Sequence, residues 1–70
     1  MKAYVLIKTT GGKARNVLNA IRKMKVEADG TYGSYDILAK VDTDDVAGLV
    51  LDKIRTLDGV TDTNTLIVAL

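Results

Sequence analysis

The apolar positions of this chain switch between two periods, and the switches divide it into six segments. Residues 3–7, Ala-Tyr-Val-Leu-Ile, form an unbroken apolar run closed by Lys8 and then by Gly11 and Gly12, the pattern of a strand ending in a turn. From Lys13 the period becomes helical. Ala14, Val17, Leu18, Ile21 and Met24 or Lys25 recur every three or four positions, with Arg15, Asn16, Asn19, Arg22 and Lys23 facing elsewhere. Residues 26–33 read as a short polar edge strand followed by a turn. Residues 35–41 then alternate, with Ile37, Ala39 and Val41 on one side and Leu38 and Lys40 on the other. Residues 42–45, Asp-Thr-Asp-Asp, supply the capping chemistry of a helix start. Val46, Leu49, Val50, Ile54 and Leu57 form the stripe of that second helix, Lys53 and Arg55 occupy its last turn, and Gly59 caps its end. Residues 61–70 are polar and β-prone, then apolar, and read as a last strand.

The order β-α-β-β-α-β predicts an α+β, ferredoxin-like sandwich spanning residues 1–70 as a single domain. Its four-stranded, antiparallel-type sheet should carry both helices on one face. The first and third strands are expected in the middle and running parallel. A sheet with one solvated face should alternate apolar and polar residues. The first strand does not, since Tyr4 and Leu6 oppose Ala3, Val5 and Ile7. Nor does the last, where Leu66, Val68 and Leu70 oppose Ile67 and Ala69. Exposing such side chains forfeits about 1.5–3 kcal/mol each. The second face is therefore expected to pack on another copy of the same sheet.

Composition narrows the chemistry. With no Cys and no His, disulfides, thiolate metal sites and Ser-His-Asp or Cys-His catalysis are excluded. Self-association is the staple left to a domain of this size. Ten basic and nine acidic residues are spread along the chain for a net charge of +1, a balance that argues against a nucleic-acid surface. No signal peptide or membrane-length apolar run is present, so the expected location is the cytoplasm, with no membrane or nucleic-acid partner and no cofactor.

The stretch Thr-Tyr-Gly-Ser-Tyr-Asp, residues 31–36, concentrates two of the three aromatic residues beside a glycine and an acid. A hairpin needs the glycine but not the rest. A small-molecule pocket would use all of it. Backbone N–H groups at Gly33 and Ser34 suit a carboxylate, Asp36 suits an ammonium, and Tyr32 and Tyr35 suit the apolar part of an amino acid.

Residues 3–9, the run Gly33-Ser34-Tyr35-Asp36 through Val41, and the closing Gly59-Val60 with Thr63, Thr65 and the apolar residues 66–68 resemble the ligand-binding (RAM) domain of the Lrp/AsnC, or feast/famine, transcription regulators. The resemblance implies the same βαββαβ fold. It further implies sheet-against-sheet dimers that assemble onward, commonly as a tetramer of dimers, with an amino acid effector between dimers. On that likeness Thr63 and Thr65 join Tyr32, Gly33, Ser34, Tyr35 and Asp36 as ligand-binding candidates. Two hydroxyls at alternate positions of a strand share a side. Full-length members carry a DNA-binding helix-turn-helix that this sequence does not show, so the expected role is an amino-acid-binding module. It would modulate transcription of amino acid metabolism through oligomer assembly or through association with full-length relatives. The rival is a small cofactor-free enzyme on a dimeric ferredoxin-like scaffold, with Asp36 as its only candidate acid or base.

Overall fold

The computed structural model describes residues 1–70. The elements follow the expected order: β1 (Lys2–Thr9), α1 (Ala14–Lys23), β2 (Glu27–Gly30), β3 (Ile37–Asp42), α2 (Val46–Leu49) running straight into a π-helical turn (Val50–Ile54), and β4 (Val60–Ile67). The sheet order is β2-β3-β1-β4, so β1 and β3 are central as expected. Their predicted parallel orientation is wrong. β3 pairs antiparallel to β1, Lys2 opposite Asp42 and Ile7 opposite Ile37. The reason is topological. The α1 crossover sets β2 parallel to β1 with a gap between, and β3 leaves β2 through a tight turn and fills that gap in the reverse direction.

The alternation of each strand decides its faces. Ala3, Val5, Ile7, Ile37, Ala39, Val41 and Ala28 are buried beneath the helices, where Val17 and Ile21 of α1 and Val46, Val50 and Ile54 of the second helical segment meet them. No polar side chain is buried. The α1 helix ends at Met24, after which Lys25 takes φ 65°, a left-handed turn that lets Val26 fold back onto the core. The second helix begins as expected at the acidic run. Asp45 caps it by accepting from the Gly48 N–H at 3.0 Å.

The predicted continuous second helix is instead a short α-helix with a wider turn behind it. The Arg55 N–H donates to the Val50 carbonyl at 2.8 Å, five residues back. Val50 and Ile54 both face the core, and Arg55 after them lies at the surface. Gly59 has φ 100° and links this segment to β4, its carbonyl accepting from the Thr10 N–H at 2.8 Å. A Cβ at Gly59 would lie 2.7 Å from Lys13 Cβ, so the link passes close over the start of α1. β4 ends at Ile67, short of the expected residue 70.

Candidate functional site

The turn between β2 and β3 has a fastened stem and an open tip. The Thr31 N–H donates to the Asp36 carbonyl at 2.8 Å, the Thr31 hydroxyl to the Tyr35 carbonyl at 2.8 Å, and the Asp36 N–H to the Ile7 carbonyl at 2.9 Å. Asp36 is half-buried, and its Oδ2 accepts from both the N–H (2.8 Å) and the hydroxyl (3.1 Å) of Thr9. One carboxylate oxygen thus ties the end of β1 to the start of β3. Oδ1 has no partner within the protein. At the tip, Gly33 takes φ 122°, which only glycine adopts without strain, and Tyr32 and Ser34 stand in solvent. Tyr35 lies back over the sheet, with Lys8 Nζ 5.6 Å from its ring centroid.

Thr63 and Thr65 occupy a different place. Thr63 lies opposite Ile7 and Thr65 opposite Val5, so both hydroxyls point to the helix-bearing face. There they line a groove of about 540 Å³ between α2, the π-helical turn and β4, together with Val46, Val50, Arg55 and Ile67. Tyr32, Gly33, Ser34, Tyr35 and Asp36 do not line this groove. They lie on the far side of β1, because β3 and β4 flank it. A single protomer therefore keeps the two halves of the predicted site apart.

The opposite face of the sheet carries no helix. Opposed pairs place Tyr4 beside Leu66 and Leu6 beside Leu38 at its centre. Around them lie Glu27, Lys40, Lys8 and Asp62, charges of alternating sign. Tyr4 is 40% exposed and Leu66 50% exposed, while Leu6 and Leu38, opposite each other, are half-buried. No helix of the chain is long and apolar enough to cross a membrane.

The balance of charge conceals a segregation that the overall count misses. The first 26 residues hold seven of the ten basic residues and no acid, and all nine acids follow. In space, Arg15, Arg22 and Lys23 make the outer face of α1 basic, while Asp42, Asp44, Asp45 and Asp52 gather around the second helix. Arg55 escaped notice for another reason. It reads as a charge suited to a helix end, and nothing in the residue pattern announces the π-helical turn that brings it to the groove.

A model of the Lrp/AsnC ligand-binding domain matches residues 2–69. The chain belongs to that family. Among solved structures, a protein from Pyrococcus horikoshii described as hypothetical is 35% identical at a TM-score of 0.87, the match covering 99% of this chain and 89% of that one. Escherichia coli AsnC is 30% identical at a TM-score of 0.75, and this domain covers 50% of its length. A Neisseria meningitidis transcriptional regulator solved in complex with L-Met shares the fold at 22% identity and a TM-score of 0.81, with 49% of that chain covered. No curated protein sequence matches significantly. These likenesses agree with the ferredoxin-like sheet and helices described above, and membership of the Lrp/AsnC ligand-binding domain family is consistent with a regulatory role responsive to amino acids.

Proposed function

We propose that this Lrp/AsnC-type domain works as a homo-oligomer whose assembly is controlled by an amino acid. The protomers pair sheet against sheet through the uncovered faces. The effector is held by Tyr32, Gly33, Ser34, Tyr35 and Asp36 of one protomer and by Thr63 and Thr65 of another. Regulation of amino acid metabolism follows when the ligand favours one assembly over the others, by the difference of its affinities for them. The module passes that change on through its own oligomer or through full-length relatives.

The observation that carries this reading is the bare sheet face, with Tyr4, Leu6, Leu38 and Leu66 at its centre and charges at its rim. An apolar centre inside a polar rim is the anatomy of an interface. The accessible surface gives independent support. The protomer exposes 4719 Å², whereas a compact monomer of this size exposes about 4,200 Å². The separation of the turn from the two threonines has the same consequence, because a ligand touching both sets must lie between copies.

The test is a thermal-shift screen of the twenty amino acids together with native mass measurement. A concentration-dependent rise in melting temperature, accompanied by a change in the oligomer, is expected for at least one of them. No rise with any amino acid sinks the effector reading.

A further inference from the structure

The groove between the second helix and β4 is lined by three hydrogen-bond-donating side chains that have no partner in the protein. Arg55 takes part in none of the three ion pairs and in no side-chain hydrogen bond. The hydroxyls of Thr63 and Thr65 likewise bond to nothing in the protein. These three idle side chains share one groove with Val46, Val50 and Ile67. Its volume of about 540 Å³ falls within the range of roughly 300–1,000 Å³ typical of small-molecule sites.

The arrangement is built by the fold. Val50 and Ile54 both face the core, and the π-helical turn between them ends at Arg55, whose N–H lies on the Val50 carbonyl at 2.8 Å and whose side chain lines the groove. Such turns mark functional sites more often than ordinary helix does. Register does the rest, sending both threonine hydroxyls to the helix side.

We propose that this groove takes the carboxylate end of a small aliphatic monocarboxylate, with Arg55 as its charged anchor. The guanidinium fork suits a planar carboxylate, and the two hydroxyls donate to the same group. Val46, Val50 and Ile67 receive the aliphatic part. Asp44 and Asp45 also line the groove and oppose any anion in it, so a carboxylate is held only where the Arg55 fork engages it directly and a second anionic group has no such partner. The site therefore favours monocarboxylates over dicarboxylates. The inference rests on the effector reading for the role of Thr63 and Thr65, and adds the residue that holds the charge. The turn residues that meet the same ligand then come from a neighbouring copy.

The experiment follows backbone amide signals by NMR during titration with L-leucine, with isovalerate, which keeps the carboxylate and lacks the amine, and with isoamylamine, which does the reverse. Isovalerate and L-leucine are expected to move the amides of Val46, Val50, Arg55, Thr63 and Thr65 saturably, and isoamylamine to leave them in place. Arg55→Gln should weaken both carboxylates roughly 10- to 100-fold, the loss of a charge-assisted hydrogen bond. Its melting temperature should stay that of the parent, because Arg55 supports nothing else. Unmoved groove amides, or an affinity indifferent to Arg55→Gln, overturn the inference. If L-leucine still binds with that indifference, the effector reading survives and the anchor is lost. Isovalerate bound through Arg55 with no amino acid bound at all upholds the groove and removes the effector reading.

Discussion

Replacing Leu66 probes the bare sheet face without disturbing the core. Leu66 lies opposite Tyr4 on β4, on the face away from the helices, and is 50% exposed in the protomer. Full burial of a leucine side chain stabilises by about 1.5–3 kcal/mol, so the uncovered half contributes about 0.8–1.5 kcal/mol when a partner covers it. A twofold interface contains every residue twice. Leu66→Ala should therefore lose about 1.5–3 kcal/mol of dimer stability, raising the dissociation constant roughly 10- to 150-fold. Leu66→Asp should go further, because two carboxylates would enter an apolar centre, one from each copy. Both variants should keep the fold, since the position is half in solvent already. Sedimentation over a dilution series from about 100 to 0.1 μM reads the result, with circular dichroism as the check on folding. A wild-type protein that is monomeric and stably folded across that series would refute the reasoning. So would a Leu66→Asp variant that dimerises as tightly as its parent.

Five further substitutions test the local geometry. Gly59→Ala combines a positive φ with a Cβ pressed against Lys13 and 3.3 Å from Val17 Cγ2, and should destabilise by about 2–4 kcal/mol, whereas Gly11→Ala, which meets no atom within 4 Å and has no such φ, should be nearly silent in the same thermal melt. Asp36→Ala strips the Thr9 N–H and hydroxyl of their acceptor and should cost about 1–3 kcal/mol in urea titration, while Asp36→Asn keeps an acceptor oxygen and most of the stability. The asparagine variant is thus the one that separates ligand binding from folding. Lys25→Gly relieves a left-handed backbone at φ 65° and should raise stability by about 0.5–1 kcal/mol, read as a higher denaturation midpoint.

The fold was legible wherever one face of an element is buried, because burial forces a period on the residues. The alternation of Ile37, Ala39 and Val41 and the stripe of Val17 and Ile21 gave their elements and their inner faces directly. Strand orientation was a different matter. Periodicity says which side a residue faces and nothing of direction, so the pattern carries no support for a parallel rather than an antiparallel pairing of β1 and β3. The π-helical turn was invisible for a related reason. Val46, Val50 and Ile54 fall at spacings of four, which a regular helix satisfies as well, so only the Arg55 to Val50 hydrogen bond reveals the added residue. At the candidate site, the composition of residues 31–36 announced a special turn. It left open that Asp36 would spend one oxygen on Thr9. That Thr63 and Thr65 share a side was readable from their spacing, but the side itself is set by register against Ile7 and Val5, a long-range property.

The two proposed surfaces meet in β4, and this links them. Along that strand Thr63, Thr65 and Ile67 turn toward the groove, while Asn64 and Leu66 turn toward the bare face. A ligand in the groove and a partner on the sheet therefore grip alternate side chains of one backbone, at the edge of the sheet where pairing exists on a single side. Anything that holds the odd residues in place also orders the even ones. Linkage requires the effect to be reciprocal: the factor by which ligand tightens the dimer is the factor by which dimerisation tightens the ligand. β4 pairs with β1 alone, so its other side is free for a partner or a ligand to engage. Under the proposed function, a domain on so small a core, with twelve buried residues and no buried polar group to lock its register, would report occupancy through assembly rather than through a hinge.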